Sequence, residues 1–227
     1  MRREVSMEEI SDGKLYTAND LVKADCNDCQ GCSACCQKMG ESIILDPLDI
    51  YRLTFGLNQR FEQLLADKIE LNVVDGVIFP NLKMTGKEEQ CAFLNSEGRC
   101  SIHSIRPGIC RLFPLGRYYD GKSFQYFLQI HECKKENRTK VKIKKWIDTP
   151  DLKKNEKYIS DWHYFLTDVQ KILIKLQNDE KAKKINVLLL QTFFLEPYHQ
   201  EEDFYTQFYE RLEKLKISIQ LLSLIHI

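Results

Sequence analysis

The chain has 227 residues, enough for one sizeable core, or for a core with a helical appendage. Apolar residues make up 43% and 33 basic side chains balance 33 acidic ones, so nothing in the net charge argues for nucleic acid or for an anionic membrane surface. No stretch is apolar enough to span a membrane and the first ten residues lack a signal peptide's apolar run, so a reducing cytosol is the expected compartment. There, clustered cysteines bind metal more often than they pair, and nine is an odd number for a disulfide framework.

Residues 1–25 read as a polar, loosely packed N-terminal segment. After a run of cysteines, Asp46-Pro47-Leu48-Asp49 supplies an N-cap, a proline at the first helical position and an acidic first turn. That helix is expected to reach Phe55 and stop at Gly56. A second begins near Asn58, with Phe61, Leu64, Leu65 and Ile69 on one face. The pattern then changes to period two, and Val73 to Phe79 predicts a hairpin around Asp75-Gly76. Further hairpins are expected around Asn95–Gly98 and Asp120–Gly121, and Arg106-Pro107 should open a short helical turn carrying Cys110. From about Pro150 the chain turns helical, with Trp162, Phe165, Val169, Ile172, Leu173 and Leu176 at three- and four-residue steps. Two more helices follow, one over Ala182 to Leu195 and one after Pro197 carrying Phe204, Phe208, Leu212 and Leu215. These divisions give a cysteine-bearing domain over 26–148 and a helical extension over 149–227 packed on it. A groove for a protein partner is the alternative use of those helices.

Five cysteines fall within eleven residues: Cys26, Cys29, Cys32, Cys35 and Cys36. Thiolate binds zinc, copper(I) and iron–sulfur clusters far better than it binds hard cations. Two-residue spacers let a tight turn aim both sulfurs at one centre, and Gly31 and Ser33 keep the backbone compact there. A helical turn would put Cys32 and Cys36 on one face and leave Cys35 pointing elsewhere, toward a second metal, a different iron or later cysteines. The spacing of Cys26, Cys29, Cys32 and Cys36 also imitates a bacterial ferredoxin run. However, Gln37 stands where that pattern has proline, and no second run exists.

Four more cysteines follow, in the stretch Cys91-Ala-Phe-Leu-Asn-Ser-Glu-Gly-Arg-Cys100-Ser-Ile-His-Ser-Ile-Arg-Pro-Gly-Ile-Cys110-Arg-Leu-Phe-Pro-Leu and at Cys133. Together with Asp28-Cys29-Gln-Gly-Cys32-Ser-Ala-Cys35-Cys36, this resembles the bacterial and archaeal cysteine-cluster family of zinc- or iron-chelating domains, the YkgJ family. The resemblance covers roughly residues 26 to 133. Its eight-cysteine pattern falls onto Cys29, Cys32, Cys35, Cys36, Cys91, Cys100, Cys110 and Cys133, which it implies as the metal ligands. Cys26 lies outside the pattern, so Cys26→Ser is expected to cost much less metal than serine at Cys29 or Cys36. Ala92 and His103 stand where the family often has proline and tyrosine, and neither touches a thiol. A domain of this kind also occurs in flagellin lysine N-methylases, so the resemblance admits a lysine N-methyltransferase-like enzyme. The chain has no glycine-rich strand-to-helix loop suited to a nucleotide-like cofactor, and whether it is an enzyme stays open.

The fold expected is α+β: a small cysteine-rich metal-binding domain with short hairpins and a helical C-terminal part. Its bipartite site would close long loops when metal binds. An iron–sulfur cluster, [4Fe–4S], is favoured because the adjacent pair Cys35 and Cys36 fits badly into two closed tetrahedral sites, and redox or protein-modification chemistry would follow. A zinc-stabilised interaction module is the alternative. His103 and His131 could ligate, support a ligand or simply pack. Arg99, Arg106 and Arg111 could lower thiol pKa values, or Arg106 could pair with a carboxylate to fix its turn. Phe113-Pro114-Leu115 reads as a wall shielding the site. The basic stretch Lys134 to Lys145 reads as a solvated face.

Overall fold

The computed structural model describes residues 6–27, 32–176 and 178–224. The chain is mixed α+β with short antiparallel hairpins, and among the described residues no helix is long and apolar enough to cross a membrane. It divides into two compact units. One takes Ile44–Leu82 and the described part of Trp162–Ile227, and the other takes the described part of Arg2–Ile43 together with Lys83–Asp161.

In the cysteine-bearing unit, the chain opens with α1 (Met7–Ile10) and β1 (Leu21–Asp25). The short strands β4 (Met84–Thr85) and β5 (Gln90–Cys91) follow, then α4 (Gly108–Leu112), the hairpin β6 (Leu115–Tyr119) and β7 (Phe124–Leu128), β8 (Thr139–Lys142) and α5 (Ile143–Ile147). The segment Ile44–Leu82, which comes between β1 and β4 in the chain, belongs to the other unit. The β6–β7 turn forms because the Asp120 carboxylate accepts from the N–H groups of Lys122 and Ser123, at 2.9 and 2.7 Å.

From Ser6 onward the N-terminal segment is not loose. Tyr16 exchanges two backbone hydrogen bonds with Tyr126 on β7, at 2.8 and 2.9 Å, and β1 pairs antiparallel with β8. The reason lies in alternation. Val22 and Ala24 on β1 point inward to a core with Leu112, Leu115, Tyr126, Leu128, Ile143 and Ile147, and a segment holding such a register cannot float.

The other unit contains α2 (Pro47–Leu57), α3 (Phe61–Asp67), β2 (Ile69–Val74), β3 (Val77–Leu82), α7 (Asp179–Leu190) and α8 (Phe204–Leu224). The helix α6 (Leu152–Leu176) is divided between Asp161 and Trp162. A reciprocal capping box starts α2: Asp49 N–H donates to Asp46 at 2.9 Å, and Asp46 N–H donates to Asp49 at 3.1 Å. The helix runs past the expected stop at Gly56 to Leu57, and Asn58 caps it in the left-handed conformation. Asp75 and Gly76, both at positive φ, turn β2 into β3 with Val74 opposite Val77, the two-residue geometry that Asp-Gly predicts. Ile69, read as helical, instead begins β2. A fully used amide locks that turn: Asn186 on α7 accepts from Ile78 N–H at 2.8 Å and donates to Gly76 O at 3.0 Å.

The core of this unit is aromatic. Trp162 lies 4.8 Å, ring to ring, from Phe193 and 5.9 Å from Phe208, in edge-on geometry. α7 closes in a π-helical turn over Gln191–Leu195. Buried Arg211 of α8 stabilises its end by donating to the carbonyls of Thr192, Glu196 and Pro197, while its guanidinium stacks 3.8 Å from the Tyr198 ring centre.

Candidate metal centre

Eight cysteines are described, all in the cysteine-bearing unit: Cys26, Cys32, Cys35, Cys36, Cys91, Cys100, Cys110 and Cys133, none joined in a disulfide. Cys29 lies outside the described residues. Two pairings bring the first run to the later cysteines. Gln37 forms an antiparallel bridge with Gln90, and Lys38 N–H donates to Glu89 O at 2.8 Å, so Cys36 is set against Cys91 at the next register position. Leu94 bridges Cys100 across the Asn95–Gly98 turn, where Asn95 accepts from Arg99 N–H at 2.8 Å, and this returns Cys100 toward Cys91. The expected ladder over Cys91 to Ile102 is thus a single bridge and turn, because Cys91 is already paired with Met84.

A 3₁₀ turn, Ala34–Cys36, carries the adjacent pair. The helical spacing argument turned Cys35 away from Cys36. The turn is 3₁₀ and three residues long, so it offers no α-helical face for Cys32 and Cys36 to share, and the Cys35 and Cys36 thiols influence each other directly. The Cys36 thiol donates to Cys35, which together with the Arg106 guanidinium brings Cys35 down to about 7 despite burial. The same contact pushes Cys36 well above the ordinary thiol range, reinforced by burial and by the fields of Cys35, Cys100 and Cys91. Burial raises Cys100, against the opposing pull of the Ile102 backbone N–H, Arg106 and Arg99. Cys35, Cys36, Cys91 and Cys100 therefore form one electrostatic neighbourhood drawn from both arms of the sequence.

A second grouping adjoins it. Cys26, Cys32, Cys35 and Cys133 line a cavity of about 20 Å³ with Phe113, Pro114 and Trp146. Strand pairing explains why: Asp25 sits opposite Thr139, so the residue after β1 and the segment before β8 meet at one end of the ladder. Trp146 is pinned there by its indole N–H, which donates to Phe113 O at 3.1 Å. The expected wall is present in Phe113 and Pro114, while Leu115 turns into the core. Cys110 stands half-buried on α4.

The arginines divide their work. Arg106 faces Cys35 and Cys100 and donates to His103 Nε2, Arg99 faces Cys100, and buried Arg111 donates to the carbonyls of Arg106, Ser104 and Asp148. His131 is exposed. Among the described residues, no three Cys, His, Asp or Glu side chains already converge as a metal-holding group. What suits a soft metal here is the donor set itself: thiols alone, half-buried, gathered from distant chain positions and faced by guanidinium groups.

A small α+β unit with such a sulfur array belongs to the class of cysteine-rich metal-binding domains. The family model described as "CxxCxxCC: Putative zinc- or iron-chelating domain" matches residues 28–141. The chain belongs to that family, and metal binding is the function the family description supports. Cys26 lies just before the matched range. No curated protein and no solved structure matches the chain significantly.

Proposed function

We propose that the chain is an iron–sulfur protein whose cluster, most simply [4Fe–4S], is held by thiolates from both cysteine arms and serves redox or protein-modification chemistry. The observation that supports this is the contact between the Cys35 and Cys36 thiols inside one neighbourhood with Cys91 and Cys100. Adjacent thiolates crowd a single tetrahedral ion, whereas a cluster presents a different iron to each. When bound, the cluster would supply one-electron chemistry. The chain's own groups would set its environment. Arg106 and Arg99 offset thiolate charge, and the Ile102 N–H donates to the Cys100 sulfur, both of which raise a reduction potential.

Anaerobic purification with iron, acid-labile sulfide and absorbance measurements tests the reading. A brown protein with about four irons and four sulfides per chain is expected, bleached by dithionite or air. The second reading is a zinc-stabilised interaction module, favoured by the spread of thiols over two neighbourhoods. It requires a colourless protein with about two zinc ions per chain and no sulfide.

A further inference from the structure

We infer that the outer face of the β1–β8 ladder docks an acidic, extended segment of a protein partner and brings that partner to the edge of the metal centre. The docking face rests on the reading above only for its neighbour, and is the same whichever metal is bound.

Successive side chains on a strand alternate, so the ladder has two faces. Val22 and Ala24 point into the core, while Leu21, Lys23, Lys140 and Lys142 stand exposed on the opposite face. The register sets Lys23 directly opposite Lys140 and Leu21 opposite Lys142. Like charges so placed oppose pairing, because the side chains start only about 5 Å apart. No carboxylate relieves them: among the described residues Lys23, Lys140 and Lys142 make no ion pair, whereas Lys154 and Lys157 of the same unit pair with Asp151 and Asp161. Exposed Lys144 and Lys145 carry the positive charge past β8 onto α5, and Lys134 and Lys135 carry it the other way, onto the wall of the cavity that Cys26 and Cys133 line. Residues 134–145 hold seven basic side chains against one carboxylate, Glu136. A surface kept only for solubility mixes its signs, so a row that costs the ladder pairing energy is fitted to a negative partner. The kind of partner follows from three features. No exposed aromatic ring stands between the lysines, so bases would have nothing to stack on. Lys140 and Lys142 are alternate residues of one strand, about 7 Å apart, which is the spacing of alternate side chains in an extended peptide. Leu21, 55% exposed, lies beside the lysines and matches an apolar side chain, which a polypeptide supplies and a phosphate backbone does not. One leucine on so short a face buries too little apolar area to hold a lipid surface. Charge of this kind also speeds encounter with an acidic partner.

The full chain, purified anaerobically with its metal, provides the test. The probe is a fluorescein-labelled peptide with glutamate at alternate positions, serine between them and one central leucine, and binding is read by fluorescence anisotropy. The wild-type chain should bind it, more weakly as salt rises. The triple variant Lys23→Glu, Lys140→Glu, Lys142→Glu should weaken binding at least about ten-fold. A control triple, Lys87→Glu, Lys122→Glu, Lys153→Glu, makes the same change in net charge on the β4–β5 turn, the β6–β7 turn and α6, and should leave affinity within about two-fold. Leu21→Ser should weaken the leucine-bearing peptide about three-fold and leave a peptide of glutamate and serine alone unchanged. Metal content and thermal melt of each variant should match the wild type. Should charge reversal unfold the ladder, Lys23→Gln, Lys140→Gln, Lys142→Gln removes the charge without reversing it and should still weaken binding. No binding by the wild type, equal loss in the two glutamate triples, or tighter binding of a charge-matched DNA duplex, a single-stranded RNA or a phosphatidylserine vesicle overturns the assignment. A colourless protein without sulfide would remove the cluster reading and leave the binding comparison standing, whereas a brown, iron-loaded wild type that ignores the peptide removes the docking face alone.

Discussion

The two units solve the problem of stability in different ways. The helical unit buries Trp162, Phe193 and Phe208 against one another, caps α2 on both sides of its first turn and satisfies the carbonyls after its π turn with Arg211. The cysteine-bearing unit has strands of two to five residues, 3₁₀ turns and single bridges, with a small apolar core beside a half-buried sulfur array. One unit is organised by apolar burial, and the other leaves thiols where apolar side chains would otherwise complete the packing. The difference teaches where metal matters. A core of close-packed rings stands without a ligand, whereas loops closed over long chain separations gain their order from what binds between them.

That contrast can be broken most directly at the sulfurs. Cys36→Ser or Cys100→Ser should strip metal and unfold the cysteine-bearing unit, the largest loss expected of any single substitution. Metal analysis and a thermal melt followed in the near and far ultraviolet check it, with much of the helical signal surviving the first transition. A single transition that loses all helix at once would dissolve the distinction. Next in size, Phe208→Ala should cost about 3–5 kcal/mol in the helical unit, because a fully buried ring leaves a cavity among Trp162 and Phe193. Its metal content should equal that of the wild type, and metal loss would show that the units depend on each other. Smallest, Asp46→Ala removes one arm of the capping box and should cost about 1 kcal/mol by denaturant unfolding, again with metal unchanged.

Much of the local structure was legible in residue chemistry. Asp46-Pro47 announced α2, Asp75-Gly76 its hairpin turn, and Asp120 the β6–β7 turn, since each acts through atoms within three residues of itself. The periodicity of Trp162, Phe165 and Val169 marked α6 in the same way. Pairings between distant segments carried no such signal. Nothing near Tyr16 foretells Tyr126, and nothing near Asn186 foretells the Gly76 turn that it grips from 110 residues away. The spacing of the first cysteine run assumed an α-helical turn, and the three residues Ala34–Cys36 are a 3₁₀ turn instead.

By itself, then, the sequence determined the kind of chemistry. Thiols in that number and spacing select soft metals whatever surrounds them, because that preference belongs to sulfur. Only the tertiary structure decided which sulfurs share a neighbourhood. The Gln37–Gln90 bridge set Cys36 against Cys91, and the β1–β8 ladder carried Cys26 to Cys133. Ligand sets are matters of distance in space, and distances between remote residues are fixed by strand register and core packing, which no local run of residues encodes.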